Sequence, residues 1–486
     1  MCIRDRFLLI STAGIPAAIA KQTARYNSLN EYGTSRRLFF RALQMMGILG
    51  IVFAAFMYLA SPWLAHASGG GDELIPTMRS LSIAVLVFPC MSVIRGYFQG
   101  NQDMMPYALS QIVEQVARIF YMLLMTFIIM KMTTGDYVAA VTQSTFAAFI
   151  GMLVSIVVLL YYLRKQQPLM NQHIEHSNNQ VNVATRKLLL DTMKEAIPFI
   201  IVGSGVTIFK LVDQFTFIRI MSATTEYSKA QLLDLFSIFS ANPDKLTMVV
   251  IALATSIAAT GLPLITEAIT LKDRPGLAKL TSGNLQLFSF VMFPATAGVM
   301  LLAYPLNTLF YTPDVLGSKV LVQASFVGLF LGLYMLISNM LQGMFENRAA
   351  IRYLLIGFVV KLILQYPAIR IFQVYGPLLA TMIGFAVSCI LILRKMHQVV
   401  RFRVGFVWRR TLLIFIMTLL MLLATGLTKQ LLSLFLSQDS KFESLILVVS
   451  VAGVGVAVYG YLALKIRLAE KLLGSSMVRL CLLYTS

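Results

Sequence analysis

Six charged side chains lie inside or at the ends of long apolar runs in this sequence: Arg95, Glu114, Arg118, Lys210, Asp213 and Lys361. An ion at the centre of a bilayer costs about 2.5–3.5 kcal/mol on insertion scales, so such groups face a wet cavity or a partner. Gln111, Glu114, Gln115 and Arg118 fall within one polar stripe, and Glu114 and Arg118, at i and i+4, are spaced to pair. Thr207, Lys210 and Gln214 share another helix face, with Asp213 three residues from Lys210. Lys361 has Gln365 one turn away and no acid in its own segment. The chemistry these residues suit is binding. Arg118, Lys210 and Lys361 against Glu114 and Asp213 leave a small positive surplus that fits a phosphate-bearing substrate, and Asp213 or Glu114 are the candidates to take a coupling ion. The alternative is that both acid–base sets are ion pairs that fix packing; for Lys361, which has no partner on its helix, binding is the better-supported reading. Arg95, at the cytoplasmic end of its segment, either meets a lipid phosphate or snorkels at the interface.

Bond-breaking chemistry finds no support. His66, His173, His176 and His397 fall outside the apolar runs, none belongs to an HExxH or Cys/His pattern, and no GxxxxGK[ST] is present. Four cysteines, two at the chain ends and two (Cys90, Cys389) in apolar runs, form no disulfide framework. No catalytic residue, metal or cofactor is expected. Energy coupling falls to the membrane potential, at about 2.3 kcal/mol per charge per 100 mV, or to H⁺ or Na⁺.

The elements that must position these residues are membrane helices. The 486 residues are 58% hydrophobic and only 13% charged, too apolar for a soluble protein. A net charge of +19 could signal nucleic acid, but in so apolar a chain it signals cytoplasmic loops and anionic lipid. Thirteen segments are long and apolar enough to be helices: 7–20, 38–60, 77–97, 106–130, 137–163, 194–219, 246–267, 282–306, 317–340, 349–372, 374–396, 410–432 and 441–466. Lysine and arginine concentrate in alternate loops, which places the loops at 21–37, 164–193 and 394–410, and the C-terminal tail, in the cytoplasm. Prolines 16, 89, 198, 263, 294 and 367 lie within these segments and permit bending.

An internal repeat organises the segments. Ala13-Gly14-Ile15-Pro16 matches Thr260-Gly261-Leu262-Pro263 at an offset of 247, and Phe98-Gln99-Gly100 matches Leu341-Gln342-Gly343 at 243, which also carries Arg118 onto Lys361. The halves then share one orientation, related by an axis along the membrane normal. The expected fold is an all-α integral membrane protein of two six-helix lobes in parallel pseudo-repeat plus two C-terminal helices. The parent would have fourteen helices, of which thirteen are present and the first is missing. The divisions are an N-terminal lobe (1–163), a cytoplasmic linker (164–193), a C-terminal lobe (194–396), a loop with two further helices (397–475) and a tail (476–486); residues 1–6 and 481–486 read as sequencing artefacts.

Ser11-Thr12-Ala13-Gly14-Ile15-Pro16-Ala17-Ala18-Ile19-Ala20-Lys21, Arg95-Gly96-Tyr97-Phe98-Gln99-Gly100, Met105-Pro106 and Ser110-Gln111-x-x-Glu114-Gln115 together resemble the polysaccharide biosynthesis branch of the multidrug/oligosaccharidyl-lipid/polysaccharide (MOP) exporter superfamily. Within it the chain resembles the SpoVB/YtgP group, which includes MurJ-like lipid II flippases. The likeness spans about residues 7–475. It implies a two-lobed, MATE-like carrier in the bacterial cytoplasmic membrane that moves a lipid-linked cell-wall precursor by alternating access, its sugar-diphosphate headgroup in a cationic cavity. The lipid tail would run beside the last two helices, with Leu412 to Leu427 and Leu445 to Leu464 as the groove wall. Asp244-Lys245-Leu246 resembles an acid–base pair that opens the family's eighth helix. The partners implied are the lipid-linked sugar substrate and membrane lipids, no nucleic acid, and a monomer working with the cell-wall synthesis machinery. The alternatives are an exporter of capsule or teichoic-acid units, a cation-coupled drug exporter, which should have a more acidic cavity, and a non-transporting scaffold.

Overall fold

The computed structural model describes residues 14–67, 72–132, 135–178, 185–240 and 242–473. Both sequence ends, including 1–13 and 474–486, lie outside the described residues, as do the side chains of His66, Arg186 and Lys187.

Among the described residues all regular structure is helical. We label the main helices α1 (Ile15–Ser28), α2 (Tyr32–Leu59), α3 (Ile75–Gly100), α4 (Met104–Phe127), α5 (Tyr137–Glu175), α6 (Thr185–Thr224), α7 (Asn242–Thr270), α8 (Arg274–Leu301), α9 (Val315–Gly343), α10 (Asn347–Phe372), α11 (Gly376–Val400), α12 (Val404–Ser433) and α13 (Lys441–Lys465). Helices α2 to α13 each overlap one predicted apolar segment, whereas half of the segment predicted at 7–20 lies outside the described residues and α1 overlaps only its end. Among the described residues, eleven continuous helical stretches are long and apolar enough to cross a membrane, and one of them, Asn347–Val400, is two helices joined by a 3₁₀ turn at Gln373–Tyr375.

Local chemistry sets the helix ends. Asp103 and Asp136 cap α4 and α5 by accepting from the Met105 and Val138 amides, and Asp314 accepts from those of Leu316 and Gly317 at the start of α9. Proline occupies the first turn of α1, α3 and α11, where no amide partner is lost.

Two expectations about loops are corrected. The linker at 164–193 is largely helix, because α5 runs on to Glu175 and α6 begins at Thr185. Leucine, arginine, lysine and glutamine there are strong helix formers, so hydropathy ends before the helix does. The interval between the predicted segments 194–219 and 246–267, where no helix was expected, contains a further helix, Lys229–Ser240.

The chain forms two compact units, Met1–Ser204 with Leu262–Asp273 and Gln342–Asn347, and Gly205–Gly261 with Arg274–Leu341 and Arg348–Ser486. In the first, α3 is central, packed against α1, α2 and α5, while α4 lies along α5. Phe39, Met46, Leu81, Met91, Phe98 and Met152 fill its core. The close approach of α1 to α3 explains two glycines of the Arg95–Gly100 motif. A β-carbon on Gly96 would sit 2.5 Å from the Pro16 carbonyl oxygen, and one on Gly100 would sit 2.5 Å from Thr23 Cβ. Gly343 packs likewise on Leu262 and Ile265 of α7. In the second unit, α12 packs against α8 and α13, with Ile414, Met417, Met421 and Tyr459 buried at their contacts.

Candidate functional site

The charged residues singled out from sequence form clusters, but not with the partners their spacing suggests. In the first unit, Arg95 joins three helices. From α3 its guanidinium donates to Ser110 Oγ (3.0 Å) and Glu114 Oε2 (2.7 Å) on α4 and to Ser155 Oγ (2.9 Å) on α5. Arg95 and Glu114 are each 8% exposed. Glu114 therefore belongs to Arg95 rather than to Arg118, which is half-buried and makes no salt bridge among the described residues. Arg95 is not a snorkelling side chain. The expected stripe on α4 splits, because Glu114 turns toward α3 and α5 while Gln111 and Gln115 are exposed.

In the second unit, Lys361 of α10 is fully buried, which overturns the expectation that it lacks an acidic partner. Its ammonium donates to Asp213 Oδ2 (2.8 Å) and the Phe209 carbonyl (2.7 Å) on α6 and to Thr381 Oγ1 (2.7 Å) on α11. Gln365 Nε2 holds the other carboxylate oxygen of Asp213 at 2.9 Å and also reaches Thr216 Oγ1. Lys210, expected beside Asp213, pairs instead with Asp244 at 2.5 Å, and both side chains stay about a third exposed (32% and 40%). Lys245, next in the Asp244-Lys245 motif, lies over the Tyr311 ring at 5.6 Å. Helix geometry explains the exchange: a buried ion is stabilised by well-aligned partners on neighbouring helices, whereas an intra-helix pair leaves both ions against lipid.

Arg118 and Lys361, matched by the repeat, occupy matching places in their own helix pairs. Gly151 of α5 crosses α4 so closely that a β-carbon would be 2.7 Å from the Glu114 carbonyl oxygen and 3.1 Å from Arg118 Cβ. Gly384 of α11 crosses α10 with 2.8 Å to the Gly357 carbonyl oxygen and 3.3 Å to Lys361 Cβ.

Sequence reasoning missed one cluster. Lys21, assigned to an exposed cytoplasmic set, is fully buried in the first unit, where it donates to Glu195 Oε2 at 2.6 Å and lies over the Phe345 ring at 4.2 Å. Asn347 donates to the same Glu195 oxygen at 2.7 Å. Burial pushes the Lys21 ammonium below the ordinary lysine pKa, and Glu195 opposes that shift. The only hint in the sequence is that Lys21 directly follows an apolar run.

A groove of about 430 Å³ opens in the second unit, almost wholly apolar, lined by Phe293, Ala297 and Met300 of α8, Phe326 and Leu329 of α9, and Phe415, Leu419 and Leu422 of α12. Of the stretch Leu412 to Leu427, Phe415, Thr418, Leu419 and Leu422 line this groove with α8 and α9, and Leu445 to Leu464 do not. That stretch, on α13, packs on α12 and on Leu302 with Leu447 and Val451 buried.

The polysaccharide biosynthesis protein family matches residues 3–269. The chain is 33% identical over 483 residues to the lipid II flippase MurJ of Bacillus subtilis (strain 168), covering 96% of this chain and 88% of that one. It is 30% identical over 122 residues, 24% of either chain, to stage V sporulation protein B of the same organism. Among solved structures, a MATE family multidrug transporter of the MOP superfamily in an outward-facing conformation superposes with a TM-score of 0.66, at 15% identity, covering 82% of this chain and 85% of that one. On these likenesses this multi-pass membrane chain belongs to the polysaccharide biosynthesis protein family and has the fold of MOP-superfamily transporters.

Proposed function

We propose that this chain moves a lipid-linked cell-wall precursor of the lipid II class from the inner to the outer leaflet of the cytoplasmic membrane, by alternating access. The observation that carries the reading is the 33% identity to a lipid II flippase along 96% of the chain. The apolar groove on α8, α9 and α12 supports it, because a polyprenyl tail needs a path that stays out of water while its headgroup crosses.

The charged residues divide by availability. Arg118 in the first unit, half-buried without an ion pair among the described residues, and Lys210 in the second, a third exposed, are each the cation of their own unit left to contact a phosphate. Lys361 and Arg95 spend their donors inside the protein, and Glu114 and Asp213 accept from them. These four set helix positions in this conformation and reach a substrate only where their networks open. The reading is tested by complementation: expression of this protein should rescue cells depleted of their lipid II flippase. Rescue only of cells lacking a capsule or teichoic-acid exporter would reassign the substrate, and loss of neither function in Arg118→Ala and Lys210→Ala variants would remove the proposed headgroup contacts.

A further inference from the structure

The sequence repeat reappears as a pair of crossed contacts at one end of the first unit. Helices α3 and α9 are each followed by a residue with left-handed backbone at the same repeat position, Gln102 (φ 61°) and Phe345 (φ 64°). Each touches a helix of the other sequence half. Gln102 donates to Glu267 of α7, and the Phe345 ring lies 4.2 Å from the Lys21 ammonium and 5.4 Å from the Arg25 guanidinium of α1. Between the two contacts α1 packs on α6: Ala18 is fully buried among Ala196, Phe199 and Leu262, and a β-carbon on Gly14 would sit 2.7 Å from the Ala196 carbonyl oxygen. All these residues belong to the first unit, and the loop charges assign this end to the cytoplasm.

The two contacts are chemically unequal. Gln102 and Glu267 form a hydrogen bond at the surface. Lys21 is a buried ion whose carboxylate partner, Glu195, is also held by Asn347, two residues after Phe345. A bulky residue at positive φ is strained, and such strain persists where surrounding contacts over-determine it. Phe345 bears it with its ring over a cation.

We propose that these contacts form a cytoplasmic clasp whose lock is Lys21, Glu195 and the Phe345 ring. The lock holds the cytoplasmic ends of the two sequence halves together in this conformation and breaks before the cytoplasmic side opens. A buried ion pair suits a reversible contact, because both partners are well solvated once water enters, whereas a wholly apolar seal would expose apolar surface on opening. The inference rests on the alternating-access reading above and on no particular substrate.

The test reads opening directly. In the full chain with its four cysteines replaced by alanine, Ala18→Cys is placed between the helices that the clasp joins, and Arg37→Cys, at an exposed position of α2, is the reference. Labelling by a water-soluble maleimide is followed in the purified protein. Ala18→Cys should react slowly in that background, about tenfold faster with Lys21→Met or Phe345→Gly, and at nearly the background rate with Gln102→Ala, while Arg37→Cys reacts equally in all. Phe345→Gly takes the left-handed turn without strain, so a fold lost to Lys21→Met still leaves a deciding variant. No acceleration in any folded lock variant, or an acceleration by Gln102→Ala as large as theirs, overturns the proposal even where complementation succeeds. Failed complementation with faster labelling removes the substrate reading and leaves the clasp standing.

Discussion

Lys361 Nζ and Asp213 Oδ2 stand 2.8 Å apart although 148 residues separate them in the chain, and both are buried within the second unit. Removing one partner leaves the other charged and unpaired in a buried site. Asp213→Leu alone is therefore expected to cost about 3–5 kcal/mol, while Asp213→Leu with Lys361→Met should recover most of it. Chemical or thermal unfolding of the four proteins of the cycle measures the coupling. A double variant no more stable than the worse single one would deny that the pair acts as a unit.

The Arg95 and Lys210 ion pairs should separate by burial. Arg95→Met strands Glu114 between three helices and is expected to cost about 3 kcal/mol or more. Lys210→Met breaks a pair that is about a third exposed, for about 0–1 kcal/mol, so its effect should fall on transport of the lipid-linked substrate rather than on melting temperature. Comparing flipping by reconstituted protein with its unfolding curve distinguishes the two.

Gly96 lets α1 touch α3 backbone to backbone. Gly96→Leu should force the helices apart and lower stability by about 1–3 kcal/mol or prevent folding, read as loss of the monodisperse peak in size-exclusion chromatography. A stable Gly96→Leu protein would show that this approach is not required.

If the groove on α8, α9 and α12 holds the lipid tail, filling it should slow transport without unfolding the protein. Ala297→Trp places a large ring among Phe293, Phe415 and Leu419. The expected result is reduced flipping of a long-chain substrate at an unchanged melting temperature; undiminished flipping would place the tail elsewhere.

Lys21 gives a pH dependence with a definite sign. Its pKa is lower in the folded protein than in the unfolded chain, mainly through burial. Between the two values the unfolded chain binds more protons, so the stability contributed by this group rises with pH from the lowered value up to the ordinary 10.5. Unfolding free energies measured up to the alkaline range should rise for the wild type relative to Lys21→Met, and parallel curves would contradict the assignment.

The sequence alone settled the class of the molecule and the course of most of its long apolar helices. Continuous apolar segments, loop charges and the Arg95–Gly100 motif depend on composition and short-range order, which hydropathy and helix propensity read directly. It also singled out Arg118 and Lys361 as equivalent, and the two glycine crossings at Gly151 and Gly384 show why: each glycine admits its helix against the residue itself and the one a turn before it.

Partnership was decided only by the tertiary structure. Spacing along one helix offered Glu114 to Arg118 and Asp213 to Lys210, yet Arg95 and Lys361, from other helices, took the two acids. Lys21 found Glu195 in the same way, across 174 residues. The reason is energetic. Inside a membrane protein a charge is tolerated where several oriented donors and acceptors surround it, and a single helix, whose backbone groups are already bonded to one another, cannot supply them.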